Sequence, residues 1–167
     1  MYDKITEKDL KRMKDEVEHR KVVVRKEALI EVRIAREHGD LSENFEYKAA
    51  KRIKNENESR IRHLERLIKT CVIISEDSNE DEVGLNDLVT VFISEDKEEA
   101  KFRVVTTVRT DSTNGYISID SPLGKALLKH KVGDTVSVSI NPDYAYDVKI
   151  LKIEKIGDDG TEKLRAY

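Results

Sequence analysis

The chain is 167 residues long and carries 31 Lys+Arg against 34 Asp+Glu, with a single cysteine, Cys71. That length admits one domain or two small ones, one cysteine excludes an intrachain disulfide, and no apolar run approaches the roughly 20 residues needed to cross a bilayer. The first seventy residues hold 19 Lys+Arg against 15 Asp+Glu and the remainder 12 against 19, so a weakly basic arm is joined to an acidic part, with the arm suited to nucleic acid or an acidic channel but not to tight autonomous DNA binding.

From Ile5 to Arg36 there is neither Pro nor Gly, and apolar residues return at Leu10, Met13, Val17, Val24, Ala28, Val32 and Ala35 in steps of three, four or seven. The pattern predicts a long helix with a heptad seam, interrupted where Arg20 and Lys21 occupy the expected slot. At about 1.5 Å per residue such a helix is on the order of 45 Å long. A second seam through Ala50, Ile53, Ile61, Leu64 and Ile68 predicts a second helix. Asn57 fills its missing position, either as a register-setting polar layer or as a ligand contact. Matching seams and a tight link predict an antiparallel coiled-coil hairpin over residues 1–74, with its tip at 39–47.

Past Cys71, whose neighbours Val72, Ile73 and Ile74 suggest a buried thiol, the polar run Ser75–Glu82 reads as a linker, or as a loop after a short strand from Cys71 to Ile74. Alternating runs then predict strands at Leu88–Ile93, Phe102–Val108, Tyr116–Ile119, Thr135–Ile140 and Val148–Ile153. Ser121-Pro122 opens one short helix with a Ser cap and Pro at its first position. Residues 75–167 are thus expected to form a small antiparallel sheet on one helix, with a loose polar tail after about residue 157. The fold class is α+β.

The tip, Gly39-Asp40-Leu41-Ser42-Glu43-Asn44-Phe45-Glu46-Tyr47, carries three carboxylates and three large apolar groups, more than a chain reversal needs. On spacing, Asp40 and Glu43 form the D-x-x-E of a capping box, with Gly39 closing the preceding helix. The same carboxylates could instead hold a divalent cation and carry it into another protein's active site. Leu41, Phe45 and Tyr47 either form a private cluster or await a partner. Arg33, Arg36, Lys48, Lys51 and Arg52 make a basic collar, or an ordinary solvated surface. His38 without a second His or Cys is a weak metal ligand. No G-x-x-x-x-G-K-[ST], G-x-S-x-G or paired CxxC motif occurs.

The run from Ala35 to Lys51 closely resembles the tip signature of the bacterial Gre transcript cleavage factors, nearest to their GreA branch. Ser121-Pro122-Leu123-Gly124-Lys125-Ala126-Leu127-Leu128 leading into Lys131-Val132-Gly133-Asp134 resembles the signature of their C-terminal domain. Departures fall at Arg25-Lys26, Asn55–Ser59, Asn141–Tyr146 and the extra tail after Ile156, as in a divergent paralogue.

The resemblance implies an FKBP-like C-terminal domain that docks on RNA polymerase and a hairpin that enters the secondary channel. There Asp40 and Glu43 would assist a catalytic Mg2+ shared with polymerase, with none tightly bound to the isolated protein. The chain would then be no enzyme itself, but an activator of the polymerase's intrinsic endonuclease, releasing arrested complexes by cleaving the nascent RNA 3' end. Lys51, Arg52 and Lys48 are the RNA-contacting candidates, and Gly39, Leu41, Ser42, Asn44 and Tyr47 support the tip; Glu46 is a weaker candidate. A weak DNA contact within the elongation complex, no membrane, a monomer and a cytoplasmic location complete the expectation, the start Met1-Tyr2-Asp3-Lys4 lacking a signal-peptide apolar core. The alternatives are a Gre-like channel regulator or inhibitor that does not stimulate cleavage, and a peptidyl-prolyl isomerase, which fold alone does not confer.

Overall fold

The computed structural model describes residues 2–39 and 43–166. Two compact units make up the chain: Leu10–Cys71, and the segments Met1–Asp9 and Val72–Ala166 together. The first nine residues go with the sheet-bearing unit because β1 (Lys4–Ile5) pairs in parallel with β2 (Val72–Ile73). Ile5 is fully buried in that ribbon, so the first helix starts two residues later than expected. Its start is a reciprocal capping box: the Asp9 N–H donates to Thr6 Oγ1 at 3.1 Å and the Thr6 N–H donates to Asp9 Oδ2 at 3.3 Å.

The helical unit follows the seams with two corrections. The first helix is α1 (Glu7–His19), a π-helical turn (Arg20–Val24) and α2 (Arg25–Glu37). A strict heptad from Leu10, Met13, Val17 and position 20 would continue at 24, 27, 31 and 34, yet the buried residues are Ala28, Val32 and Ala35. One extra residue has to be absorbed, and the Arg25 N–H bonding the Arg20 carbonyl five residues back absorbs it. The second correction lies in α3 (Phe45–Thr70). Its inward positions run Tyr47, Ala50, Lys54, Asn57, Ile61, Leu64 and Ile68 without a break. Ile53, assigned to the seam from sequence, falls one position off that row and is 58% exposed.

The interruptions in the two seams meet. Asn57 accepts from Arg20 Nη1 at 3.1 Å and donates to the Arg20 carbonyl at 3.3 Å. Glu16 accepts from Arg20 Nε at 2.8 Å and is held two-pronged by Arg60 at 2.9 and 3.2 Å. Further toward the tip, Arg25 grips Glu58 with two bonds of 2.7 and 2.9 Å, and beside the polar layer Lys21 pairs with Glu65. Asn57 is therefore the polar layer of the two readings weighed for it. Cys71, expected to be buried, is half-buried at the end of α3, followed by the open ribbon residues Val72 and Ile73 at 46% and 44% exposure.

The sheet unit holds β3 (Leu88–Ile93), β4 (Glu98–Val105), β5 (Tyr116–Ser118), β6 (Thr135–Asn141) and β7 (Tyr144–Glu154) in the order β5-β4-β3-β7-β6. The sheet is mixed, not wholly antiparallel: β5 runs parallel to β4, because 3-10 turns at Thr107–Arg109 and Ser112–Asn114 carry the chain back before it pairs. The core is built mostly of valines, Val83, Val89, Val91, Val104, Val136, Val138 and Val148 with Ile119, Ile150 and Leu127, branched side chains that suit a pleated surface. Leu127 comes from α4 (Pro122–Leu127), capped by Ser121 as expected, its Oγ accepting from the Gly124 N–H at 3.0 Å. Gly124 passes so near β5 that a Cβ there would lie 2.0 Å from the Ser118 carbonyl. Among the described residues no helix is long and apolar enough to cross a membrane.

The tail is not loose. Asp158 is buried, Glu162 pairs with both Arg103 and Arg109, and the Arg165 N–H donates to the Val108 carbonyl at 2.7 Å. Its polar composition reads as solvated only until two buried arginines supply partners.

Burial pushes the Glu16 carboxyl up, but hydrogen bonds from Arg60 and Arg20 and their charges outweigh it and hold the group below its ordinary value. A carboxylate lowered in the folded state stabilises the fold above its unfolded pKa of about 4.3 and loses that contribution as pH falls through the folded value. Glu16→Gln should cost about 1–3 kcal/mol at neutral pH, with the gap to the parent closing at acid pH. Urea unfolding across that range reads it; a gap that stays constant would contradict the assignment.

Candidate functional site

The two helix ends at the tip are joined by side chains as well as by the chain. α2 closes at His38, and Gly39 follows with φ +124°, a conformation that favours glycine. α3 opens at Phe45 under the cap of Asn44, whose Oδ1 accepts from the Tyr47 N–H at 3.0 Å while its Nδ2 donates to the Ala35 carbonyl at 2.7 Å. One side chain thus caps α3 and satisfies an end carbonyl of α2. His38 Nδ1 lies 2.7 Å from Glu46 Oε2, and the Arg36 guanidinium sits 5.5 Å from the centre of the Tyr47 ring. A hydrogen bond from Arg36, with the charges of Lys51, Arg36 and Lys54, holds the Tyr47 phenol below its ordinary pKa.

This geometry changes the capping-box reading. The cap is Asn44, so Glu43 precedes the helix and is not its third residue. It stands exposed in the turn. Asp40, Leu41 and Ser42 lie outside the described residues. Of the apolar trio, Tyr47 is half-buried beside Arg36, whereas Phe45 is 82% exposed with Lys48 Nζ 5.9 Å above its ring. Such an aromatic is no part of a private cluster.

Lys48, Lys51 and Arg52 are exposed and, with Asn55, Glu56 and Ser59, line one shallow groove on α3. Arg52 is engaged by Glu56 at 2.8 Å. Among the described residues no three His, Cys, Asp or Glu side chains converge as a metal site. His38, weighed as a ligand, is instead the partner of Glu46. The double role of Asn44 escaped the sequence reading, although an Asn directly before the apolar-periodic run is a helix-start signal.

Comparison with known proteins bears directly on this tip. Residues 4–73 match the family described as "Transcription elongation factor, N-terminal", and residues 77–155 match "Transcription elongation factor, GreA/GreB, C-term". The chain belongs to the GreA/GreB family of transcription elongation factors. It is 40% identical over 152 residues to the transcription elongation factor GreA of Caldanaerobacter subterraneus, spanning 90% of this chain and 96% of that one. It is 42% identical over 151 residues to GreA of Geobacillus kaustophilus, spanning 90% and 95%. Among solved structures, the GreA factor homolog Gfh1 of Thermus thermophilus aligns over 93% of this chain and 100% of its own at 29% identity and a TM-score of 0.43. Within this GreA/GreB chain the tip lies inside the first matched segment, and residues 156–167 lie beyond both.

Asn44→Ala removes the cap and the tie to Ala35 together and should destabilise the helical unit by roughly 1–2 kcal/mol. Amide hydrogen exchange should show the loss first at Tyr47. Unchanged protection there would mean that Asn44 does not hold the turn.

Proposed function

We propose that this transcription elongation factor binds RNA polymerase, brings its tip through the secondary channel to the active centre, and stimulates the polymerase's own cleavage of the nascent RNA 3' end in backtracked complexes. The observation that carries the reading is at the tip: Glu43 is exposed just before α3, whose start is tied to the end of α2 by Asn44, His38–Glu46 and Arg36–Tyr47. Helix ends tied in this way fix the flanks of the tip before it meets its target.

Asp40 and Glu43 are the residues that would hold a Mg2+ shared with polymerase. Carboxylate oxygens are the donors that hard cation takes, and two of them leave most of an octahedral shell to be completed by the polymerase and water. Such an ion supplies charge neutralisation at the scissile phosphodiester and an activated water. The chain's own contribution would be the two carboxylates of Asp40 and Glu43 between the helix ends, with Lys48, Lys51 and Arg52 on α3, whose charges attract the extruded RNA. Phe45 offers an exposed ring for a base or an apolar channel wall. In this role the chain is an activator, monomeric and cytoplasmic, and any DNA contact is incidental to polymerase binding.

The channel-regulator alternative drew on departures outside the tip, and relatives 40–42% identical over 90% of the chain are transcription elongation factors GreA. Nothing in the site favours it.

A backtracked elongation complex given the protein and Mg2+ should release short RNA from its 3' end. Asp40→Asn with Glu43→Gln should slow that release by roughly 10²-fold while polymerase binding persists. Cleavage equal to the parent's would overturn the metal-donor role. Lys51→Glu should raise the factor concentration needed for half-maximal cleavage several-fold, most strongly at low ionic strength; an unchanged requirement would remove Lys51 from the RNA path.

A further inference from the structure

Residues 156–167 lie outside both family matches, yet the chain folds them back onto the sheet unit through charge. The Glu162 carboxylate bridges two guanidinium groups, one oxygen toward Arg103 Nη1 and the other 3.0 Å from Arg109 Nη1. Both arginines are buried. Arg103 also donates to the Gly157 carbonyl at 2.6 Å and stacks 5.5 Å from the Tyr116 ring. Arg109 is set by Asp9 Oδ1 at 2.7 Å and by Asn86 Oδ1 at 2.6 Å. Asp158 Oδ2 stands 3.7 Å from Arg109 Nη1, and the Asp158 carbonyl accepts from Lys8 Nζ at 2.7 Å. Asp9 is fixed in turn by Thr6 and by Thr106 Oγ1 at 2.6 Å.

The two arginines are also held by the body of the unit: Asp9, Asn86 and Tyr116 contact them independently of the tail. A pair of preoriented guanidinium groups is a carboxylate-recognition site. What fills it is held by few apolar contacts. Among residues 157–166 only Asp158 is buried, and none belongs to the hydrophobic core. Gly157 and Gly160, at φ +72° and +83°, bracket Asp158 with turns that favour glycine.

We propose that Arg103 and Arg109, the latter oriented by Asn86, form a binding site for an acidic peptide, filled in cis by the chain's own segment 157–166 through Glu162 and Asp158. The segment is a strap held by charge, and an acidic segment of a partner protein can take its place without disturbing the valine core. In cis the strap has the advantage of high effective concentration, so the site is closed to weak competitors until the strap's carboxylates are weakened.

A fluorescent peptide copying residues 157–166 tests this on the full chain. It should bind the Asp158→Asn, Glu162→Gln variant at least about tenfold more tightly than the parent, whose own strap competes, and adding Arg103→Gln should abolish that binding. Equal binding by parent and variant, or binding that survives Arg103→Gln, would overturn the site. Amide exchange gives a second answer that needs no peptide. The Arg165 amide should be protected in the parent and lose protection in the Asp158→Asn, Glu162→Gln variant, while the Val104 amide, bonded to the Asp87 carbonyl, does not change. Protection of Arg165 that survives in the variant would show a strap that these carboxylates do not hold.

Discussion

The carboxylate of Glu16, reached by Arg20 from its own helix and by Arg60 from α3, is the constraint on which the helical unit depends. Beside it Asn57 engages both the side chain and the carbonyl of Arg20. Apolar seams alone tolerate several alignments, since a shift by a heptad still sets apolar residues against apolar residues. A shift here would set Asn57 and Arg60 against apolar partners, and each buried polar group left without its bond costs about 1–3 kcal/mol. The polar layer therefore selects one register, as buried polar groups do best.

That register has its consequence at the other end of the unit. Because α3 keeps an unbroken heptad while the first helix carries one extra residue, the π turn at Arg20–Val24 is what lets Ala28, Val32 and Ala35 return to the buried face. Ala35 is then in place to offer its carbonyl to Asn44, and Arg36 to cover Tyr47. The tip is braced because the register is set correctly some twenty residues away. In the sheet unit, a different charged group has the comparable role: Arg109 draws residues near both ends of the chain, Asp9 and Glu162, to the same buried point.

Much of this could be read in the sequence where a single period governs the outcome. Helical seams, the Ser121-Pro122 start and the strand at Leu88–Ile93 follow from local chemistry and appear as expected. What escaped were features decided by distant partners. Ile53 looks like a seam residue until the strict spacing from Tyr47 and Ala50 assigns Lys54 instead. The π turn leaves only a one-residue phase change, visible when Val24, Ala28 and Val32 are counted in consecutive fours. The D-x-x-E spacing of Asp40 and Glu43 satisfies the capping-box pattern as well as Asn44 satisfies its own, and the bond from the Tyr47 N–H to Asn44 is what identifies the cap. The parallel β5 and the anchored tail depend on residues far along the chain, beyond the reach of any local pattern. For the candidate site, the long tip motif singled out the segment but gave no sign of the side-chain ties between the helix ends that flank it.

In the proposed role the tip would lend carboxylate ligands to a metal ion in the polymerase, and the ion would then be held at concentrations where polymerase alone binds it poorly. The direct measurement is the Mg2+ dependence of 3' cleavage in a defined backtracked complex, with and without saturating protein. The protein should move the half-maximal Mg2+ concentration down by roughly tenfold or more, the equivalent of about 1.4 kcal/mol of added binding free energy. A cleavage rate that rises while the half-maximal Mg2+ concentration stays fixed would contradict it.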